Sequence, residues 1–466
     1  MNAVAVKSHA RVAVATICET RDRFYEIRSP MVSEEISSIG WLSEEFNVLA
    51  SEPIRTVDIL RVFSEAAREF NPHLFIIHIP VWTDPIYSVM LANAVSCPVL
   101  LLGNMRKDTS SMVGMLGSGG SLDQAGIRHW RIMDHSSLSG KKELQEKVEA
   151  SYAFRELKGQ RMGVFGGRSL GMITATADPA QWMKLFGVDM EHIDQMVIRD
   201  KGEKVPQSEV DNFVEWLESR VMKLTFGGTF DKSALERQAR SYLATRCLVE
   251  ERGLDFIGVK CQPEMADGYT TQCVAHMLSN GTFDDTGTKL PTVHSCEADL
   301  DGALTMQILK LISGSKSTAL LDMRWIDIEK GIWIMANCGA LAADFAADND
   351  DPTGLSSVEV APHVIGETGG CALPMMAKSG PVTLARLCRN DGEYWMAIIE
   401  GDILDRTHDD LKEATSVFPQ AHIRANMDDE FFRRFGSNHS HMVRGHRGKS
   451  LAAFCEIAGI ESRIWR

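Results

Sequence analysis

Two kinds of apolar segment divide the sequence near residue 326. Before that point, strand-like runs such as RVAVATIC (11–18) and LFIIHIP (74–80) alternate with segments of helical periodicity such as 57–69. After it, short apolar runs such as GIWIMANCG (331–339) and EYWMAIIEG (393–401) follow one another across turn residues. Alternating strands and helices predict a doubly wound parallel sheet, whereas closely spaced short strands predict an antiparallel sheet or barrel.

This change predicts an α/β chain of three domains. Residues 1–156 are expected to form a Rossmann-like α/β domain, residues 157–325 a second doubly wound α/β domain, and residues 326–466 a C-terminal antiparallel β-barrel-like domain. The length of 466 residues suits that number, at roughly 100–200 residues per domain. In the last domain, GPVTLARLCRNDGEYWMAIIEG (380–401) predicts a β-hairpin with its turn at Asn390–Asp391–Gly392.

Composition excludes several classes of partner and location. No run approaches 18 consecutive apolar residues, so no membrane span is expected. The net charge of −14 disfavours binding to nucleic acid. The N-terminus has no basic segment followed by an apolar one, so no signal peptide is expected. The ten cysteines include no CxxC pair, which indicates free thiols in a reducing cytoplasm.

Two glycine-rich segments differ from known phosphate-binding loops. GVFGGRSLGM (163–172) lacks the dinucleotide-binding spacing, and SMVGMLGSGG (111–120) is predicted to be a loop without a P-loop lysine. Tight turns between strands and helices explain both segments. A nicotinamide-dependent oxidoreductase is therefore disfavoured.

Two carboxylates follow successive strand-like runs. Glu297 comes after PTVHSC (291–296), and Asp322 ends STALL (317–321). If both strands are parallel neighbours, the two side chains converge at one edge of the sheet, where they can bind a divalent cation, transfer protons, or do both. Taken singly, each residue is better interpreted as a helix cap or a surface charge; the pair favours the site.

The densest group of histidines lies in GSNHSHMVRGHRG (436–448). His439 and His441 are two residues apart and share one face of a strand, and His446 follows. An imidazole combined with carboxylates suits manganese, iron, cobalt or zinc. The alternative is a polar surface loop.

Four further residues are candidate sugar contacts. Gln262 follows the strand-like run DFIGVK (255–260), from where it can donate hydrogen bonds to a polyol, and Trp82 in PVWTDP can form an aromatic wall for a sugar. Arg21 and Arg23 follow the first strand. The alternative for Gln262 is an ordinary strand-to-helix loop, and for Trp82 a buried core tryptophan. For Arg21 and Arg23 it is a solvated charge.

The ordered set of these segments resembles the L-fucose/L-arabinose isomerase superfamily, closer to its L-fucose isomerase branch. PVWTDP and VKCQPE fall where that branch carries substrate-contacting Trp and Gln residues. Five further segments occur in the family's order: CEADLDGALTMQILKLISGS, ALLDMRW, ANCGALAA, GPVTLARL and SNHSHMVRGH.

The resemblance implies a metal-dependent aldose–ketose isomerase that uses Mn²⁺, with Co²⁺, Fe²⁺ or Zn²⁺ as alternatives. It places the metal ligands at Glu297, Asp322 and His439, and the first two also act as base and acid. His439 is preferred to His441 because Asn438–His439 matches the family's Asn-His pair. The family also implies a homo-oligomer, a trimer or hexamer, in which a neighbouring subunit completes the active site.

The substrate of this chain is expected to be a deoxy-, pentose or anionic sugar. The last option rests on the number of arginines near the predicted site, since guanidinium groups recognise sulfonate, phosphate or carboxylate. Sulfoquinovose is one such sugar; pairing of the arginines with the chain's excess acids is the alternative. A non-catalytic sugar-binding or regulatory protein is the competing function.

The predicted substrate-binding residues are Gln262, Asn438, Trp82, Arg21, Arg23, Arg168, His441 and Arg444. Arg324 and Arg434 are the other arginines near the predicted site.

Overall fold

The computed structural model describes residues 9–466, so the N-terminal lead for which no signal peptide is predicted lies partly outside the described residues. The chain forms two compact units, Met1–Arg155 and Glu156–Arg466. The division into three domains stays a prediction. Within the described part of the chain, no helix is both long and apolar enough to cross a membrane.

The first unit contains a five-stranded parallel sheet in the order β2-β1-β3-β4-β5. Its strands are β1 (Arg11–Thr16), β2 (Asn47–Ala50), β3 (Leu74–His78), β4 (Val99–Leu102) and β5 (His129–Ile132). The helices between and after them are α1 (Asp22–Ser38), α2 (Leu42–Glu45), α3 (Val57–Phe70), α4 (Ile86–Ala94), α5 (Ser111–Gln124) and α6 (Leu138–Leu157). Apolar clusters cover both faces of this sheet, which confirms the doubly wound α/β prediction.

The second unit begins with a four-stranded parallel sheet in the order β12-β9-β6-β7. The strands of this part are β6 (Arg161–Phe165), β7 (Asp189–Ile193), β8 (Lys223–Leu224), β9 (Phe256–Val259), β10 (Phe283–Asp284), β11 (Gly287–Thr288) and β12 (Val293–Cys296). Its helices are α7 (Pro179–Phe186), α8 (Met196–Gly202), α9 (Gln207–Arg220), α10 (Lys232–Arg252), α11 (Glu264–Gly268), α12 (Cys273–Asn280) and α13 (Leu300–Ile312).

A closed antiparallel barrel of six strands follows, as predicted. Its order is β17-β20-β13-β14-β19-β18, and β18 pairs back with β17 while β21 adds outside β18 in parallel. The predicted hairpin is confirmed, with Asp391 and Gly392 at positive φ in its turn. The elements are β13 (Thr318–Asp327), β14 (Ile332–Ala336), β15 (Glu359–Pro362), β16 (Cys371–Ala372), β17 (Gly380–Asn390), β18 (Glu393–Ile403), β19 (Gln420–Ala425), α14 (Asp429–Arg434), β20 (His439–Arg444), α15 (Gly448–Ala458) and β21 (Glu461–Trp465).

Helix α13 holds the parallel sheet and the barrel together. It contacts β9 and β12 of the sheet and β13, β17 and β20 of the barrel. Twelve of its thirteen residues are buried, because both sides of the helix are covered. This helix fixes the carboxyl edge of the sheet against one wall of the barrel.

Two local predictions are wrong. Strand β13, with Asp322, is not a parallel strand of the sheet; it is antiparallel to β14 and β20 in the barrel. Its run of apolar residues resembles a parallel strand because α13 covers it within the barrel core. The segment 111–120 is part of helix α5 rather than a loop. Its Gly114 allows close packing on the loop after β3, because a Cβ added at Gly114 would lie 3.3 Å from the amide nitrogen of Thr83.

Candidate active site

Three of the predicted residues follow neighbouring strands of the second unit's sheet. Arg168 follows β6, Gln262 follows β9, and Glu297 comes directly after β12. Because the strands are parallel, these loops share one edge of the sheet. The Gln262 side-chain amide lies 3.5 Å from Glu297 Oε1, and the Ser169 hydroxyl donates to the Gln262 carbonyl at 3.1 Å.

Glu297 sits on an unusual backbone turn. Glu297 and Ala298 have φ values of 58° and 47°, in the left-handed region that non-glycine residues seldom occupy. The turn connects β12 to α13, whose N-cap is Asp299. Glu297 is 8% exposed. Such strained positions concentrate at functional sites, where the surrounding structure enforces them.

The barrel brings two more predicted residues to the same place. Asp322 on β13 and His439 on β20 are direct cross-strand partners. His439 Nε2 lies 3.4 Å from Glu297 Oε2 and 3.7 Å from Asp322 Oδ1. The Asn438 side-chain amide donates to Asp322 Oδ1 at 3.2 Å. The two carboxylates therefore meet at one imidazole nitrogen, although one belongs to the sheet edge and the other to the barrel.

A second acid, Asp299, orients the imidazole. Its Oδ2 lies 2.7 Å from His439 Nδ1, and its Oδ1 accepts the amide N–H of Gly302 at 3.0 Å. The guanidinium of Arg386, itself buried, also donates to Asp299. A carboxylate on Nδ1 fixes the proton there in the neutral imidazole and directs Nε2 toward Glu297 and Asp322.

Burial and ion pairing set the protonation of the cluster. Burial alone would lower the pKa of His439, but hydrogen bonds to Asp299 and Glu297 more than offset it and raise that pKa to about 10. Burial raises the pKa of Asp322. Burial would also raise the pKa of Asp299, yet Arg386 and His439 hold it below its ordinary range. The site thus keeps Asp299 ionised and electrostatically tied to the histidine.

These donors fit a divalent cation. Two carboxylates and one oriented imidazole are oxygen and borderline nitrogen ligands, the set that suits Mn²⁺, Fe²⁺, Co²⁺ or Zn²⁺. The Asp299–His439 pair is the carboxylate–histidine arrangement that commonly supports a metal ligand. Glu297, Asp322 and His439 are thus able to hold the ion that the sequence predicts, with Gln262 and Asn438 beside them.

His441 and Arg444 are placed differently from these residues. His441 is fully buried, with Nδ1 3.3 Å from the Ala385 carbonyl and Nε2 4.0 Å from Asp299 Oδ2, so it lies behind His439. The Arg444 guanidinium donates to backbone carbonyls, including that of Phe345 at 2.8 Å. The roles predicted for both in substrate binding stay predictions.

Three other predicted residues belong to the first unit. Arg21 and Arg23 follow β1, and Trp82 lies in the loop after β3. Arg21 is paired with Glu19, with 2.6 Å between Nε and Oε1, while the Trp82 amide donates to the Thr109 carbonyl at 3.2 Å. All three follow carboxyl ends of strands, as predicted, and their contribution to a neighbouring subunit's site stays a prediction.

Asp299 and Arg386 are the site residues that the sequence analysis missed. Asp299 is two residues from Glu297, and the sequence pattern there indicates only the beginning of a helix. A signal was present in GPVTLARL (380–387), where an arginine interrupts an otherwise apolar strand and requires a buried acid. Cys296 and Cys338 also adjoin the site, with their sulfur atoms 3.9 Å apart.

Comparison with known proteins identifies related sequences. The family profile for the C-terminal domain of L-fucose isomerase matches residues 335–465, a range that includes His439. Sulfoquinovose isomerases of Priestia aryabhattai and Priestia megaterium are each 24% identical over 332 residues, which is 70% of this chain and 69% of theirs. The sulfoquinovose isomerase of Alkalicoccus urumqiensis is 25% identical over 251 residues, 54% of this chain and 53% of its own.

A solved structure of a transporter solute-binding protein from Burkholderia multivorans also aligns, at 12% identity. The alignment covers 66% of this chain and 96% of that protein, with a TM-score of 0.17.

Proposed function

Since the chain belongs to the L-fucose/L-arabinose isomerase superfamily, we propose that it is an aldose–ketose isomerase acting on a sugar with a sulfonated end. The observation that carries this proposal is the meeting of Glu297 and Asp322 at Nε2 of His439, with Asp299 on the opposite nitrogen. The sulfonated substrate is supported by the relatives, which are sulfoquinovose isomerases.

The proposed cofactor is a divalent ion, Mn²⁺ in first place, held by Glu297, Asp322 and His439. When bound, an ion of this kind would polarise the sugar carbonyl and stabilise negative charge on the neighbouring oxygens. Such an ion would need the neutral imidazole of His439, because a protonated nitrogen cannot bind a metal. Asp299 then keeps Nδ1–H in place and leaves Nε2 as the ligand atom.

The chain's own residues move the protons. Isomerisation transfers one proton between C2 and C1 and another between O1 and O2. Glu297 and Asp322 are the proposed base and acid, and a positioned acid–base group typically contributes about 10²–10⁴-fold to such a rate. Gln262 and Asn438 carry amide N–H groups next to these carboxylates, where they are suited to hold sugar hydroxyls.

Two arginines of the second unit are suited to the sulfonate. Arg324 is exposed and lies two residues after Asp322 on β13. Burial raises the pKa of Asp322, and the positive charge of Arg324 acts against that rise. Arg168 is exposed in the loop whose Ser169 is bonded to Gln262. A guanidinium group offers forked donors that match the oxygens of a sulfonate.

The assembly and location are part of the same proposal. A trimer or hexamer lets the loops of Arg21, Arg23 and Trp82 close the site of a neighbouring subunit. A cytoplasmic location agrees with ten cysteines that are all free thiols.

Proton NMR in D₂O tests the activity. The full chain, stripped and reloaded with Mn²⁺, is incubated with sulfoquinovose, glucose 6-phosphate, glucose and L-fucose, and the ion is removed before spectra are recorded. We expect ketose from sulfoquinovose, with deuterium at the carbon that exchanges its proton. Ketose only from neutral sugars contradicts the sulfonated substrate, and tight binding without ketose from any sugar supports the non-catalytic alternative.

Arginine variants test the recognition of the sulfonate. Arg324→Met should lower kcat/KM for sulfoquinovose at least tenfold and leave a neutral sugar's value nearly unchanged. Arg434→Met is the matched control, because Arg434 lies near Glu430 and Glu461 and stacks over Trp395. Equal losses for both sugars mean that Arg324 has no role in recognising the anionic end.

A further inference from the structure

A second group of metal-ligating side chains lies in the first unit. Glu35, His78 and His135 are 5%, 0% and 2% exposed, and one ligand atom from each lies within 4.8 Å of the others. None of them belongs to the proposed isomerase site in the second unit. Two imidazoles and one carboxylate form a donor set that proteins use for Zn²⁺.

The fold itself brings these residues together. His78 is the last residue of β3, and His135 lies three residues beyond β5 in the same parallel sheet. Glu35 is on α1, one of its two buried residues. The carboxyl edge of a parallel sheet is where ligands bind in α/β folds, so the position is that of a site rather than of a core contact.

The geometry leaves nitrogen atoms available. His135 Nε2 is 3.2 Å from Glu35 Oε2, near the roughly 3.4 Å that separates ligand atoms in a tetrahedral sphere with bonds of about 2.1 Å. Nδ1 of His78 forms a hydrogen bond with the Thr16 hydroxyl at 3.2 Å. Nε2 of His78, the nitrogen opposite this hydroxyl, has no hydrogen-bond partner among residues 9–466. Buried polar atoms without partners are costly, and an ion would satisfy such a nitrogen.

The charges nearby are compatible with an ion. Arg106 approaches Glu35 at 3.4 Å, but through Oε1, and its closer contact is Glu34 at 2.6 Å. Oε2 of Glu35 therefore stays directed at His135.

We propose that Glu35, His78 and His135 form a second divalent-cation site, of the class that binds Zn²⁺ or Co²⁺. The ion ties α1 to the ends of β3 and β5, with the Thr16 hydroxyl orienting His78 from the side away from the metal. The loop that carries Trp82 begins at His78, so the same ion anchors the start of that loop.

The test uses the full-length chain with the double substitution Glu297→Gln and His439→Gln, which removes two of the three donors of the other site. The protein is freed of metal by a chelator and titrated with Zn²⁺ alone and with Co²⁺ alone. We expect one ion per chain, visible absorption from bound Co²⁺, and a higher Tm with metal. Adding His135→Gln should abolish all three signals, whereas His129→Gln, a histidine on β5 outside the cluster, should leave them unchanged.

A weaker variant guards against misfolding. Thr16→Val keeps the shape of Thr16 but removes the hydroxyl behind His78, and the loss of such a supporting contact typically weakens metal binding about 10–100-fold. If His135→Gln fails to fold, by circular dichroism, Thr16→Val and Glu35→Gln decide the result. The proposal is overturned if the double variant binds no ion, or if affinity is unchanged by both of these substitutions.

Discussion

At the scale of single residues, Asp299 connects the stability of the site to its chemistry. It caps α13, pairs with buried Arg386 and holds His439 at Nδ1. One carboxylate thus satisfies a helix end, neutralises a buried cation and orients a proposed metal ligand. Removing one partner of a buried ion pair leaves the other charge uncompensated, which is costly.

Asp299→Asn should therefore weaken both the fold and the metal site. We expect a loss of about 3–5 kcal/mol in the free energy of unfolding, from the unpaired Arg386. We also expect Mn²⁺ affinity to fall about 10–100-fold, because His439 loses its supporting acid. Denaturant unfolding and metal titration measure the two effects separately.

Asp301→Asn is the matched control for this experiment. Asp301 is equally buried on the same helix turn, but its partners are Arg389, Tyr394 and Trp182. It should lose stability and keep its metal affinity. If the two variants bind Mn²⁺ equally well, Asp299 is a structural residue only.

At the scale of elements, the turn that carries Glu297 depends on close packing with β9. A Cβ at Gly258 would lie 3.2 Å from the Cα of Ala298 and 3.1 Å from Met162 Cε. Gly258→Ala should push the turn away and displace Glu297. We expect kcat/KM to fall more than tenfold, since small displacements of a reacting group are costly, with about 1–3 kcal/mol lost in stability.

Gly268→Ala provides the comparison for that turn. Among the described residues, no atom beyond the adjoining residues and the backbone of the same helix lies within 4 Å of a Cβ added at Gly268, the last residue of α11. Its activity should stay close to that of the unchanged chain. Normal activity of Gly258→Ala would show that the turn adjusts without moving Glu297.

A second prediction at this scale concerns the loop after β14. Burial would raise the pKa of Asp351, but hydrogen bonds from Thr353 and Ser356 more than offset it and lower the pKa from 3.8 to about 2. A lowered folded-state pKa stabilises the protein above the ordinary value, and this stability is lost as the pH falls through about 2. Allowing for partial exposure, the contribution is about 1–2 kcal/mol at neutral pH.

Unfolding experiments with Asp351→Asn at several pH values test this contribution. The variant should be less stable than the unchanged chain at pH near 7, and the difference should shrink as the pH falls below about 4. Asp350→Asn, at the exposed neighbouring position, should cost little at any pH. A difference that is constant with pH would mean that the Asp351 carboxylate charge is not the source.

Local sequence patterns predicted where strands and helices lie better than they predicted which strands pair with each other. The run of apolar residues ending at Asp322 indicates a strand, which β13 is, but nothing local distinguishes a barrel strand covered by α13 from a parallel one. Glu297 and Asp322 were expected to meet because they follow neighbouring strands. They meet instead because His439 is the cross-strand partner of Asp322. Such pairings depend on residues more than one hundred positions apart.

At the scale of the whole molecule, the barrel and both parallel sheets follow from the change in pattern near residue 326. The group Glu35, His78 and His135 does not, because its members lie in three separate segments and each is ordinary in its own. His439, by contrast, lies in a dense histidine segment that is visible in the sequence. Clusters assembled by topology alone are the part of the molecule that a single sequence leaves hidden.

The last prediction concerns the proposed oligomer. Trp82→Ala and Glu297→Gln should each be nearly inactive, because one removes the proposed wall of the sugar site and the other its base. If a neighbouring subunit supplies Trp82, oligomers reassembled from equal amounts of both chains contain sites with neither lesion, about one quarter of the total for random mixing. Activity should then recover toward that fraction. Without recovery, although mixed oligomers are shown by mass spectrometry, Trp82 serves the site of its own chain or none.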